Sequence, residues 1–266
     1  AAAYFIGALG TEISSNVAQY GGGVYVGLFA VDATYTLSGA GSKMASNTAS
    51  LSGGAVYANG SAVNSQVLVQ VQAAAVISGN TAVESGGGVY GVEGVSVSVS
   101  GGSVIESNVA KDGGGLYMLQ SNCSVVSSTL RQNNASNDGG GWHADGSMMN
   151  LTNAIVKQNT AAQSGGAGFM TIAVSKVGAC TVFVHGSDSV LESNVAAGVG
   201  GSSGGGGLFF APSTSGSVNS ATMATNRAKG GSGGAVYVSA GSEVSITDAS
   251  LTGNDAGVDG GAVFLT

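Results

Sequence analysis

Charge is what this chain has least of. Charged side chains make up 8% of its 266 residues, only seven of them Lys or Arg, against about 25% in an average soluble domain. That excludes a basic nucleic-acid groove and leaves few groups for acid–base catalysis. The formal net charge is -7. No apolar run approaches the roughly 18 residues that span a bilayer, and no segment sustains a helical period over about ten residues. The first residues, Ala1-Ala2-Ala3, lack the charged stretch that opens a signal peptide, so the chain is expected to be a mature or excised segment. Two cysteines do not make a disulfide scaffold.

What is abundant is glycine, 48 residues of it, and most of it recurs in phase. A Gly-Gly pair followed by a small residue, usually an aliphatic, and then an aromatic appears nine times: GGGVY at 21–25, GGAVY at 53–57, GGGVY at 86–90, GGGLY at 113–117, GGGWH at 139–143, GGAGF at 165–169, GGGLF at 205–209, GGAVY at 233–237 and GGAVF at 260–264. Interleaved with it, an Asn recurs at 16, 47, 80, 108, 133, 159, 194, 226 and 254. Each has Ile, Leu, Met or Val three residues before it and Ala two residues after it. A period of 25 to 35 residues running from end to end marks a solenoid and one elongated domain over 1–266. Within the last interval, Val236/Val238, Val244/Ile246 and Ala249/Leu251 alternate as three short strands before the Asn254 turn. Three strands per turn, with crossovers too short for a helix, must stack in parallel. The expected fold is all-β, a right-handed parallel β-helix of about nine to ten rungs. A left-handed hexapeptide helix needs a shorter repeat, a calcium β-roll needs an Asp every nine residues, and a leucine-rich repeat needs a large aliphatic where Ala249, Ser189, Ser128 and Ser103 stand.

The paired motifs resemble the GGA[ILV] and FxxN repeats of chlamydial polymorphic outer-membrane proteins and of the wider pectin-lyase-like group of β-helices. The resemblance covers the whole chain, with Ile, Leu, Met or Val in place of Phe. It implies the β-helix fold, but it does not select a function, because such repeats occur in adhesins, surface proteins and structural proteins. No transporter barrel accompanies it.

Stacked rungs give the repeated letters distinct tasks. An Asn at one turn of every rung can donate its amide to the carboxamide oxygen of a neighbour, so the nine residues Asn16, Asn47, Asn80, Asn108, Asn133, Asn159, Asn194, Asn226 and Asn254 are expected to form a buried ladder. Val24, Val56, Val89, Leu116, Trp142, Leu208, Val236 and Val263 share one parity and belong to the core. The next position, Tyr25, Tyr57, Tyr90, Tyr117, His143, Phe169, Phe209, Tyr237 and Phe264, has the other parity. It is expected to stack outside the barrel beside the small Gly or Ala position, either as stabilisation or as a face that binds carbohydrate or another protomer. His143 reads as a ladder member, not a catalytic base. Cys123 and Cys180 precede the fifth and seventh ladder Asn, so they lie roughly 9.6 Å apart along the axis, too far for a bond, unless the insertion around Lys176 loops back.

An enzyme of the polysaccharide lyase or hydrolase kind would use Asp112 and Asp138, both directly before a Gly-Gly pair in adjacent rungs, with Lys111, Arg131, His143 and Asp145 nearby. The equivalent positions elsewhere are Tyr20, Ser52, Ser85, Ser164 and Asp259, the pattern of a tolerant turn. The chain is therefore read as no enzyme, and it calls for no cofactor or metal. Four N-x-[ST] sequons, at Asn59, Asn122, Asn134 and Asn150, are candidate N-glycosylation sites; none falls on a ladder Asn. If Thr266 were followed by Ala1 of a second copy, Phe264 would stand 18 residues before the next Asn16, inside the internal range of 16 to 25. The expected function is an extracellular or cell-surface structural protein that forms filaments by head-to-tail self-stacking, carrying glycans. The alternative is a surface adhesin presenting its insertions at Val177–Asp188 and Val199–Gly205.

Overall fold

A computed structural model of the chain describes residues 3–27, 32–60, 66–172 and 179–266. These residues hold 36 strands in four parallel sheets of nine. Sheet A begins with Ala3–Ala8, sheet B with Glu12–Ser14, sheet C with Val17–Tyr20 and sheet D with Val24–Val26. Every fourth strand returns to its own sheet one rung further on. The molecule is a parallel β-helix of nine rungs, and the right hand is the one taken by about 98% of parallel strand crossovers.

Each rung therefore has four strands, not three. The extra one follows the ladder Asn and in five of the nine rungs is only two residues long, as at Thr81–Ala82, Val109–Ala110 and Asn134–Ala135. Two residues are too few for alternation to register in the sequence. What makes the strand is the narrowness of the barrel here. The Ala two places after each Asn points inward, and Ala49, Ala82 and Ala110 form a small buried cluster of their own. The second glycine of the pair closes against this strand, since a Cβ on Gly114 would lie 2.6 Å from the carbonyl oxygens of both Asn134 and Gly140. The first glycine has a different reason. Gly53, Gly86 and Gly139 sit at φ 72°, 66° and 70°, a region that side chains other than glycine's resist.

The main core is one continuous stack. Val56, Val89, Leu116, Trp142, Leu208 and Val236 from sheet D are fully buried with Met44, Ile77, Ile105, Leu130, Val156, Leu191 and Met223 from sheet B and the inward valines of sheet A. One parity expectation fails. The small residue before this row, Ala55, Ala167 or Ala235, does not share the outer face with the aromatics but is itself buried in the core. The cause is a local irregularity repeated in the rungs: the N–H groups of Gly88 and Val89 both donate to the Gly115 carbonyl, and those of Ala55 and Val56 both donate to Gly88. Two consecutive donors sharing one acceptor break the alternation, so two successive residues face inward.

Trp142 alters its neighbour. In the following rung the aliphatic is replaced by Gly168, and a Cβ there would collide with the indole. Cys123 and Cys180 are free and buried. Burial pushes the Cys123 thiol up to about 12, and burial likewise raises Cys180 to about 11, so neither carries the thiolate that reacts. The segment 173–178, which includes Lys176, lies outside the described residues.

Candidate functional site: two ladders and the rung edges

The ladder asparagines are wired in one direction. In each rung, Nδ2 donates to Oδ1 of the next Asn along the chain, from Asn16 to Asn47 at 3.0 Å through Asn226 to Asn254 at 3.1 Å. The backbone N–H of the same residue donates to the same oxygen, as from Asn80 to Asn108 at 2.9 Å. The other amide hydrogen turns back to the carbonyl of the aliphatic in the previous rung, for example Asn133 to Ile105 at 3.0 Å and Asn159 to Leu130 at 3.1 Å. Each interior Asn thus spends two amide donors, and its oxygen accepts twice. Asp could not donate and Ser could not reach both partners, which is why one residue type holds the position. Asn47, Asn80, Asn108, Asn159, Asn194 and Asn226 are fully buried, and full pairing is what makes that burial tolerable.

A second regularity accompanies the ladder. The residue just before the Asn adopts positive φ in every rung: Ser15, Ser46, Gly79, Ser107, Gln132, Gln158, Ser193, Thr225 and Gly253 lie between 52° and 62°. Only two of the nine are glycine, so composition does not announce the turn.

The aromatic ladder runs unbroken from Tyr25 to Phe264. Ring centroids stand 5.2 Å apart for Tyr25–Tyr57, 5.1 Å for Tyr57–Tyr90 and 5.2 Å for Tyr90–Tyr117. Beyond His143 the stack continues through Phe169–Phe209 at 5.0 Å, Phe209–Tyr237 at 4.5 Å and Tyr237–Phe264 at 5.1 Å. The stripe faces away from the barrel interior, yet most of it is covered. Tyr25 is 48% exposed, whereas Tyr117, His143, Phe209 and Tyr237 are buried and the remaining four are half-buried. Rings packed on both sides by neighbours leave little area for a partner, so the geometry suits stabilisation better than a contact face. Burial raises the phenols of Tyr57, Tyr90, Tyr117 and Tyr237, Tyr90 up to about 12.

His143 is the one ladder member that can titrate near neutral pH. Its ring lies 4.6 Å from Tyr117 and 4.9 Å from Phe169, and its Nδ1 has no hydrogen-bond partner among the described residues. Burial holds the imidazole down at about 4, against the opposing pull of Asp112 and Asp145.

Asp112 and Asp138 do come together, as turn clamps. The Asp112 carboxylate accepts from Asn137 Nδ2 at 2.8 Å and from the Asp138 N–H at 3.2 Å. Asp138 accepts from the Ser164 N–H at 2.9 Å and from the same Asn137 amide at 3.1 Å. Partial burial raises Asp138 to about 6. Each carboxylate is occupied in holding the next rung's backbone. Lys111 is drawn to Glu84 at 3.7 Å and Arg131 to Glu106 at 2.6 Å, so neither of these cations joins the pair. Among the described residues no three His, Cys, Asp or Glu side chains group closely enough to hold a metal ion.

Of the four sequon asparagines, Asn122 and Asn134 are exposed at the starts of their strands, whereas Asn59 and Asn150 are half-buried. Asn150 also accepts from the hydroxyl of its own sequon residue, Thr152, at 3.3 Å. The insertion at 199–205 belongs largely to the long strand Val195–Gly204 of sheet C, which is bulged against Arg227–Ser232. The other insertion begins at Val177, in part outside the described residues, and leads into sheet A at Thr181–His185.

At the edges of the solenoid both ladders are open. Among the described residues Asn16 Oδ1 accepts nothing, while the Asn254 backbone N–H and one of its amide hydrogens donate to nothing. In the first rung Tyr4, Phe5, Ile6 and Leu9 are exposed, and in the last so is Leu265, at 70%.

No protein-family model, no curated protein and no solved structure matches this chain. No helix of the described residues is long and apolar enough to cross a membrane.

Proposed function

We propose that the chain is an extracellular structural protein whose β-helices stack end to end into a filament. The observation that carries the reading is the complementarity of the two edge rungs. Because every ladder Asn donates toward the C-terminal side, the Asn254 edge offers donors and the Asn16 edge offers an acceptor. In the register of the internal rungs, a second copy would set Phe264 on Tyr25, Val263 on Val24 and Val244 on Phe5. One contact would thus extend the amide ladder, the ring stack and the core together. Such a contact is heterologous and does not close, so repetition gives a fibre. It would also cover the unpaired edge strands of all four sheets on both rungs, which are otherwise an aggregation hazard.

The likeness of the paired motifs to chlamydial and pectin-lyase-like surface repeats supports a place outside the cell. The exposed sequon residues Asn122 and Asn134 are suited to carry glycans without disturbing a strand.

More chain at either edge would meet the same groups as a second copy, and the experiment separates the two. The purified chain is followed by light scattering and electron microscopy over a range of concentrations. The expected result is unbranched filaments with an axial repeat of roughly 43 Å, nine rungs at about 4.8 Å each. Phe5→Lys and Val244→Lys place a charge inside opposite edge rungs and should each yield folded monomers by circular dichroism. Monomers at every concentration, or filaments that persist in both variants, would overturn the proposal.

A further inference from the structure

The two buried polar atoms without partners among the described residues, Trp142 Nε1 and His143 Nδ1, belong to adjacent residues of a single strand, Trp142–Asp145. An unpaired buried polar group is costly and calls for a reason. The same strand ends in Asp145, 1% exposed, and the turn that leads into it carries Asp138. Nowhere else in the solenoid does the aromatic row contain a group able to take up a proton; the equivalent residues are Tyr or Phe. We propose that this fifth rung is an acid-operated joint: protonation of His143 inside the ring stack opens the segment 139–146 while the rungs on either side stay closed.

The groups around the imidazole set the direction. From the preceding rung it faces the Tyr117 ring and the Asp112 carboxylate; its own rung supplies Asp138 and Asp145. The following strand, Gly168–Thr171, holds no charged residue and presents Phe169. At neutral pH the imidazole is uncharged and packs as an aromatic. On acidification it must gain a proton between two rings with little water, and desolvation opposes the charge. Asp112 and Asp145 pull the other way through their charge, but burial is the larger effect on the imidazole. Asp138 acts in the opposite sense, because its neutral form suits its half-buried site, but water reaches it and screens its effect. The imidazole therefore dominates, and the loss falls on the rung that already has two unmet polar groups.

The remaining rungs respond differently because their rings do not titrate in this range. The joint does not depend on filament formation; it is a property of one chain. Its consequence is a solenoid that yields in the middle, between Tyr117 and Phe169, before it yields elsewhere.

Hydrogen exchange by mass spectrometry, corrected for the intrinsic pH dependence, tests this on the intact chain. Between pH 7 and pH 3.5, protection of residues 139–146 is expected to fall by at least tenfold relative to residues 86–93 and 233–239. In His143→Phe, which installs the residue already present at positions 169, 209 and 264, that relative loss should vanish while neutral-pH protection is kept or raised. Uniform protection of all three segments down to pH 3.5, or an unchanged loss in His143→Phe, would overturn the proposal. A proton resonance of the imidazole that titrates at its ordinary pH would do the same, since it would show a solvated ring.

Discussion

The indole of Trp142 lies where a side chain on Gly168, its register partner in the next rung, would have to go. The other rungs of sheet D put Val or Leu at that position. Gly168 is thus paired to Trp142 by packing, and the two should be coupled energetically. Gly168→Val restores the common residue yet overfills the core, and is expected to destabilise by about 3 kcal/mol. Trp142→Leu alone leaves a cavity of similar consequence. The double variant Trp142→Leu/Gly168→Val recreates the ordinary rung and should recover most of the loss; chemical denaturation of the four proteins gives the coupling.

The ladder predicts a large cost for one lost amide. Asn159→Ala would strip the Asn133 N–H and Nδ2 of their acceptor and the Asn194 oxygen of a donor, all in the dry interior. With about 1–3 kcal/mol for each unmet group, destabilisation of at least 3 kcal/mol is expected in urea. Asn159→Asp should be as harmful at neutral pH, because its carboxylate would face the Asn194 oxygen without a hydrogen to offer. Its stability should rise as pH falls and the carboxyl gains a proton.

Two glycines separate two reasons for glycine. Gly79 stands at φ 62°, and a methyl added there would have only Ser46 Oγ nearby, at 3.9 Å. Gly79→Ala should therefore cost only about 1 kcal/mol, the left-handed backbone term. In Gly114→Ala the new methyl meets two carbonyl oxygens at 2.6 Å, and the neighbouring rungs must part. The expected signature is a larger fall in thermal stability together with lost exchange protection in sheet C at Val109–Ala110 and Asn134–Ala135.

Acid stability should reveal two opposed titrations. The His143 folded value of about 4 lies below its ordinary 6.5, so its contribution is intact above pH 6.5 and falls away as pH drops toward 4. For this buried group the loss is on the order of 3 kcal/mol. Asp138, raised from 3.8 to about 6, favours the folded state increasingly as pH drops from 6 to about 4; solvent screening reduces this to on the order of 1 kcal/mol. Denaturation curves between pH 7 and pH 4 should show a moderate loss for the natural chain and a larger one for Asp138→Asn. For His143→Phe the pH dependence contributed by Asp138 should be uncovered, with stability rising through the same range.

The sequence by itself determined the period, the solenoid and the membership of both ladders. An Asn and a Gly-Gly pair repeated nine times can keep phase only if like residues stack, and stacking places Asn16 through Asn254 in one row and Tyr25 through Phe264 in another. Tertiary structure decided what depends on how closely the walls approach. The fourth strand is only two residues long in five of the nine rungs and exists because Ala82 or Ala110 lets the narrow side close on the second glycine. Ala55 and Ala235 turn inward because two N–H groups share one carbonyl, a contact made between rungs, not along the chain. The positive φ before each Asn is hidden among Ser, Gln and Thr, because the turn is set by the stacked rungs and not by a glycine at that position. His143 reads like any aromatic in the row; its restraint comes from burial between Tyr117 and Phe169, which only the stacking of rungs brings around it.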